Sequence, residues 1–219
     1  MQGIIRLGLG SAMLLAGIAS APLVLAQQAP APAPAPEANH VDHFTDRNVA
    51  QQRRIEQGLK SGQLTTREAA HLEQGTARID RMESRATRPH GAGGAGVTAA
   101  EAARIQRAQN AESHAIDHQR HDAQTGNPDS LSSRRMQGDV QRNLDQQGRI
   151  AAGVDHGGLT NREVSRLSAQ QARSSHAVAA AGGNGFVNGR EQRRIQRGDN
   201  VRSRHIYSAR HNGARRHGG

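Results

Sequence analysis

Residues 64–68 of this 219-residue chain read Leu-Thr-Thr-Arg-Glu, and the same pattern recurs three times. The other copies are Val-Thr-Ala-Ala-Glu at 97–101, Leu-Thr-Asn-Arg-Glu at 159–163 and Val-Asn-Gly-Arg-Glu at 187–191. A Thr or Asn followed three positions later by Glu is the capping-box signature of a helix start, because the two side chains satisfy backbone N–H groups that the first turn leaves unbonded. The segments predict four helix starts, capped by Thr65 and Glu68, Thr98 and Glu101, Thr160 and Glu163, and Asn188 and Glu191.

The four segments lie inside a long internal repeat. Residues 51–78 align with 146–173 at an offset of 95, and residues 101–121 align with 191–211 at an offset of 90. We therefore predict an all-α fold of two duplicated three-helix units, at 41–122 and 136–212, joined by a loop at 123–135. The apolar spacing places helices at about 46–60, 66–87 and 99–121 in the first unit, and at about 139–154, 161–179 and 189–210 in the second.

The two ends of the chain differ in composition from the repeat. Arg6, followed by an apolar stretch at 7–18, is typical of a secretory signal peptide, with cleavage expected after Ala26. An Ala/Pro-rich linker would then cover 27–40, and a basic tail would cover 213–219, with both ends disordered. No later segment is apolar enough to span a bilayer, so we expect a periplasmic or secreted protein.

The chain is basic and poor in large apolar residues. Its formal net charge is +10, and it contains no cysteine, which excludes disulfides and thiolate metal sites. Phe44, Phe186 and Tyr207 are its only aromatic residues. With so little material for a core, the helices are expected to depend on caps, alanine-rich faces and ion pairs.

The turn before each capping box resembles the loop of EF-hand proteins, which has Gly at position 6, an apolar residue at position 8 and Glu at position 12. Gly62, Leu64 and Glu68 match these positions in the first loop. The chain is also similar to a loosely defined group of uncharacterised secreted bacterial proteins with S-G-x-L-T-x-x-E helical repeats. The resemblance implies degenerate EF-hand pairs. Because positions 1, 3 and 5 of the first loop are Gln, Leu and Ser, which lack the carboxylates that Ca²⁺ requires, we expect no calcium in the loops and no cofactor.

Three histidines share one face of the third predicted helix. His114, His118 and His121 lie at i, i+4 and i+7, a spacing that can chelate Zn²⁺, Cu²⁺ or Ni²⁺. The repeat does not preserve this triplet, since its counterparts at 204, 208 and 211 are Arg, Ser and His. Both a transition-metal site and a set of exposed polar side chains are compatible with the pattern.

Arginine is concentrated towards the C-terminus. Residues 190–219 hold nine arginines against two acidic residues, and Lys60 is the only lysine of the chain. A basic helix and tail of this kind favour contact with anionic lipid, lipopolysaccharide or protein partners. Since aromatic residues for base stacking are nearly absent, no specific nucleic-acid recognition is expected. The predicted surface comprises Arg190, Arg193, Arg194, Arg197, Arg202, Arg204, Arg210, Arg215 and Arg216.

No motif of a known catalytic site is found, and a core with so few large apolar residues is unsuited to a desolvated active site. We therefore expect a non-enzymatic helical binding protein whose basic surface contacts anionic envelope components or protein partners. One alternative is a His-dependent transition-metal-binding protein. Another is a periplasmic chaperone of the Spy kind, which the chain resembles through its cationic helical hairpins and through L-T-x-x-E segments in place of L-T-x-x-Q.

Overall fold

The computed structural model describes residues 38–89 and 96–215. Within these ranges the chain forms six α-helices and no strand, which confirms the predicted all-α class. The predicted signal peptide, most of the Ala/Pro-rich linker and the end of the basic tail lie outside the described residues. In the described ranges, every helix is too short or too polar to cross a membrane. The helices are α1 (Ala38–Ser61), α2 (Thr66–Ala86), α3 (Ala99–Arg120), α4 (Leu131–Asp155), α5 (Asn161–Gly182) and α6 (Gly189–Arg210).

All four predicted capping boxes are formed, and they begin α2, α3, α5 and α6. At the start of α2, the Glu68 backbone N–H donates to Thr65 Oγ1 at 3.2 Å, and the Thr65 N–H donates to Glu68 Oε2 at 2.8 Å. At the start of α6, Asn188 replaces Thr as the cap, and its side-chain oxygen accepts from the N–H groups of Arg190 and Glu191. Each cap contributes about 1 kcal/mol to stability. These caps therefore fix where four of the six helices start.

The other two helices begin earlier than predicted. Helix α1 starts at Ala38 and α4 at Leu131, each eight residues before the expected positions near 46 and 139. The first turns of α1 are held by Val41 and Phe44, which are buried. Helix α4 is capped by Ser130, whose hydroxyl accepts from the Ser133 N–H at 3.1 Å. That cap lacks the reciprocal Glu, so the pattern that marked the other starts is missing here.

Two of the predicted EF-hand-like turns join the helix pairs α1–α2 and α4–α5. Gly62 has a φ of +76° in the first turn, and Gly157 has a φ of +62° in the second. Residues with a Cβ rarely adopt this conformation, so glycine is needed for the chain to reverse within a few residues. After the first turn, the Leu64 N–H donates back to the Gly58 carbonyl at 3.0 Å. Each pair is a compact helix–turn–helix element.

The most extensive helix packing joins the two predicted units: α2 packs on α5, and α1 packs on α4. Both pairs run antiparallel. One apolar cluster combines Ile55 near the end of α1 with Met136 near the start of α4. The other combines Phe44 near the start of α1 with Ile150 near the end of α4. The core is therefore divided between two clusters, and each draws side chains from both predicted units.

Two glycines allow the turns to pack tightly against the helices that precede them. A Cβ added at Gly58 would lie 2.6 Å from Leu64 Cδ1, and one added at Gly153 would lie 2.7 Å from Leu159 Cδ1. Leu64 and Leu159 are each at most 1% exposed and anchor the two apolar clusters. Glycine at these positions thus permits the leucine that precedes each capping box to enter the core.

We predict opposite effects for two alanine substitutions within α4. Gly153→Ala should lower the free energy of unfolding by about 1–3 kcal/mol, because the added methyl group overpacks Leu159. Gly148→Ala should raise it by about 0.5–1 kcal/mol, because alanine favours the helix and the new Cβ has no atom within 4 Å. Urea unfolding followed by circular dichroism measures both. Equal effects of the two substitutions would contradict the close packing at Gly153.

A layer of buried polar residues separates the two apolar clusters on every helix. In α1 it includes Gln51, whose Nε2 donates to the Gln109 carbonyl at 2.6 Å. In α4 it includes Gln146, whose Nε2 donates to the Asp199 carbonyl at 3.1 Å. Glu112, at a polar position within the apolar stripe of α3, also belongs to it. The buried carboxylates of the layer are Glu73, Asp80, Glu83, Glu112, Asp139 and Asp199.

Burial raises the pKa of several of these carboxyl groups because it removes water from their ionised forms. The pKa of Glu73 rises to about 7 and that of Asp139 to about 7. The pKa of Glu112 rises to about 8, since the charge of Glu73 adds to the effect of burial. In the unfolded chain these groups lose their protons near pH 4.5 or below. Between that pH and about 8, the folded protein therefore binds more protons than the unfolded chain.

We predict that the protein is most stable in mild acid. Stability from these carboxyl groups is fully present below the unfolded pKa values and is lost as the pH rises through about 7 to 8. The free energy of unfolding, measured with urea, should be lower by roughly a few kcal/mol in mild alkali than in mild acid. Glu112→Gln should reduce that fall. If repulsion among the positive surface charges dominated instead, the protein would gain stability as the pH rises.

Candidate anion-binding groove

The outward side of the α2–α5 pair forms a groove with a floor of small residues. Ser84 of α2 lies beside Ser165, Ala169 and Ala172 of α5 along this floor. The Ser165 hydroxyl donates to the Ser84 carbonyl at 2.6 Å, which joins the two helices at this point. Small side chains allow helices to pack closely and leave the longer neighbouring side chains to form the walls.

Arginines form both walls of this groove. One wall has Arg81 and Arg85 of α2 and Arg88 just after the end of that helix, and the other has Arg162, Arg166 and Arg173 of α5. Two adjoining cavities, of about 440 and 510 Å³, share Ser84, Arg88 and Ala169 in their lining. His176 lies at the end nearest Arg81 and Arg173. We call this set of six arginines with its serine and alanine floor the α2–α5 arginine groove.

The lining of the arginine groove is positively charged, and the carboxylates that interact with it, Asp80 near Arg81 and Glu163 near Arg166, lie outside that lining. All six arginines are exposed, and no carboxylate lines either cavity. Among the described residues, none of the six guanidinium groups forms a hydrogen bond or an ion pair. A concave surface lined by one sign of charge concentrates its electric field and attracts ions of the opposite sign. Guanidinium groups bind phosphate and carboxylate oxygens with paired N–H donors, so the arrangement suits such anions.

Three of the six groove arginines are specific to one end of the α2–α5 face. At an offset of 95, Arg85, Arg88 and Arg166 correspond to Ala180, Gly183 and His71 at the other end, whereas Arg162 and Arg173 correspond to Arg67 and Arg78. By contrast, Ala77 and Ala172, which correspond to each other at the same offset, are both buried between the helices. The packing positions and two of the arginines thus match at the two ends, whereas Arg85, Arg88 and Arg166 have arginine at only one. Helix packing alone does not explain their presence.

The predicted basic surface on α6 is only partly a surface. Arg202 points inward, where it pairs with Asp199 and donates to Ser174 Oγ. Burial, followed by the charge of Arg173, lowers the pKa of Arg202 to about 10. Arg210 is half-buried beside Gly153, and Arg216 lies outside the described residues. The exposed members are Arg190, Arg193, Arg194, Arg197, Arg204 and Arg215.

The three histidines proposed as metal ligands are exposed on the last two turns of α3 and at its C-cap. His121 Nδ1 contacts the Asp117 carbonyl at 2.7 Å. Within residues 38–89 and 96–215, no three His, Cys, Asp or Glu side chains are grouped so that they could hold a metal ion. Transition-metal binding by His114, His118 and His121 stays a prediction.

The α2–α5 arginine groove was missed at the sequence level because its two walls are about eighty residues apart in the chain. The spacing of Arg81, Arg85 and Arg88 identifies one basic helical face, and Arg162, Arg166 and Arg173 identify a second. Nothing in either stretch shows that the two faces meet.

Comparisons with protein-family models, with characterised proteins and with solved structures find no match to this chain.

Proposed function

We propose that this protein is a non-enzymatic binding protein that holds phosphate-bearing anionic lipids or lipopolysaccharide in the α2–α5 arginine groove. Its place of action would be the periplasm or the cell exterior, in keeping with the signal-like N-terminal sequence. The observation that carries the proposal is the set of six exposed arginines around one groove whose lining holds no carboxylate.

The composition of the groove favours a phosphate-bearing surface over other anionic partners. Its lining contains arginine, histidine, serine, alanine and one proline but no aromatic residue other than His176, so bases of a nucleic acid would find little to stack on. Its floor offers only small side chains, which suits head groups better than a large apolar client. Among the described residues, the exposed large apolar side chains are those of Leu131, Phe186, Val201 and Tyr207, and none of them lines the groove.

Binding to lipid vesicles tests the proposal. The protein should bind vesicles that contain anionic phospholipid more tightly than purely zwitterionic vesicles, and added salt should weaken the binding. Each arginine near an anionic surface contributes about 1 kcal/mol. The triple substitution of Arg85, Arg88 and Arg166 by alanine should therefore weaken binding by roughly 100-fold.

A second triple variant provides the matched control. Substituting Arg190, Arg194 and Arg197 on α6 by alanine removes the same charge from another exposed helix. This variant should lose much less affinity than the groove variant, with the circular dichroism of both unchanged. An equal loss would show that net charge alone governs binding, and a larger loss would place the anionic contact on α6.

A further inference from the structure

A small polar chamber lies inside the helix pairs, on the opposite side of α2 from the arginines. It has a volume of about 10 Å³, which is close to the space that one water molecule or one bare ion requires. The polar residues that line it come from α1, α2, α4 and α5. They are Asn48 and Thr45 of α1, Asp80 and Glu83 of α2, Gln147 of α4, and Ser168 and Gln171 of α5.

Several polar atoms in this chamber have no partner. Among the described residues, Asp80 Oδ2, Gln171 Oε1 and both amide atoms of Gln147 are buried without a hydrogen bond. Gln171 uses its Nε2 to donate to the Asn143 carbonyl at 3.3 Å, so its oxygen is the atom left over. These three side chains are each at most 4% exposed. Buried polar atoms without partners destabilise a fold, so a species bound among them would stabilise this one.

The corresponding place in the other half of the molecule is filled by a side chain. At the offset of 95, Ser168 corresponds to Glu73, and Gln147 corresponds to Gln52. There, Gln52 Nε2 donates to Glu73 Oε1 at 2.9 Å, and Asn143 Nδ2 donates to Glu73 Oε2 at 3.2 Å. In the chamber, the short Ser168 leaves this volume open, and Gln147 lacks the hydrogen bond that Gln52 makes to Glu73. The cavity therefore results from one small residue in place of a large one.

The charge of the chamber identifies the kind of species that would fill it. Asp80 and Glu83 both line it, and no Lys or Arg does. Burial raises the pKa of Glu83 to about 8, although its carboxyl group accepts from Asn48 Nδ2 at 2.8 and 2.9 Å, and burial also raises the pKa of Asp80. A cation that binds between the two carboxyl groups would therefore displace their protons. All available ligand atoms are carboxylate, amide or hydroxyl oxygens. Oxygen-only ligand sets select hard cations such as Ca²⁺ and disfavour Zn²⁺ or Cu²⁺.

We propose that the chamber is a binding site for a single hard divalent cation of the Ca²⁺ class, held by Asp80 and Glu83 and completed by the oxygens of Gln147, Gln171 and Ser168. Mg²⁺ fits less well, since it retains several water molecules and the chamber has room for one small species. Only two of the proposed ligands are carboxylates, and the others are amide and hydroxyl oxygens. The site is therefore compatible with the finding that no three His, Cys, Asp or Glu side chains of the described residues are grouped around a metal position. It also lies away from the turns that resemble EF-hand loops.

Thermal unfolding and metal analysis test this site. Protein unfolded in chelator and refolded with Ca²⁺ should retain about one equivalent of the ion after dialysis. Its melting temperature should exceed that of protein refolded in chelator by about 5–10 °C when Ca²⁺ is at a hundredfold its dissociation constant. Mg²⁺ at the same concentration should give a smaller shift.

The nearly isosteric Asp80→Asn variant separates a cation site from a merely structural carboxylate. It should lose the response to Ca²⁺, and in chelator it should be at least as stable as the unmodified protein, because the repulsion between Asp80 and Glu83 is relieved. The control Asp145→Asn removes an equal charge from an exposed position of α4 and should keep the response.

Three results would overturn the proposal. If neither bound metal nor a Ca²⁺-dependent melting shift is found in the unmodified protein, the chamber holds only water. If Na⁺ or K⁺ produces the shift and Ca²⁺ does not, the assignment to a divalent ion is wrong. If Asp80→Asn retains the response, the ion binds elsewhere. Metal analysis of the unmodified protein decides the matter even if the variant does not fold.

Discussion

The antiparallel packing of α2 on α5 is the interaction on which the other features of this molecule depend. Ala77 and Ala172 are buried where the helices meet, and the hydroxyl of Ser165 bonds to the carbonyl of Ser84. The same pair of helices has two functional sides. Its outward side aligns the arginines of both helices around one groove, while its inward side brings Asp80 and Glu83 towards Ser168 and Gln171.

The interior combines two small apolar clusters with a polar layer between them. Each cluster is supplied by both predicted units, so within residues 38–89 and 96–215 neither unit has an apolar cluster made only of its own side chains. The polar layer between them carries amides and carboxylates, and burial of carboxyl groups such as Glu73 and Glu112 shifts their titration towards neutral pH. Stability and pH are thereby linked in this fold.

Local features of the fold were predictable from the sequence, and long-range features were not. The capping boxes at Thr65 and Asn188 fix helix starts through contacts within four residues, so pattern recognition was sufficient. The start of α4 was missed because Ser130 caps it without a reciprocal Glu. The groove depends on α2 meeting α5 across the two units, and no local pattern in either helix encodes that partner. Arg202 was assigned to a surface because its charge is visible in the sequence and its buried partner Asp199 is not.

The pairing of α2 with α5 can be measured directly in this cysteine-free chain by attaching spin labels to introduced cysteines. Labels at positions 88 and 162 replace two arginines that line the same cavity, so their separation should be short and narrowly distributed. Labels at positions 88 and 180 should be farther apart by about 27 Å along α5, because eighteen helical residues separate 162 from 180. A broad distribution for both pairs, or a shorter distance for 88 and 180 than for 88 and 162, would contradict the antiparallel packing of these helices.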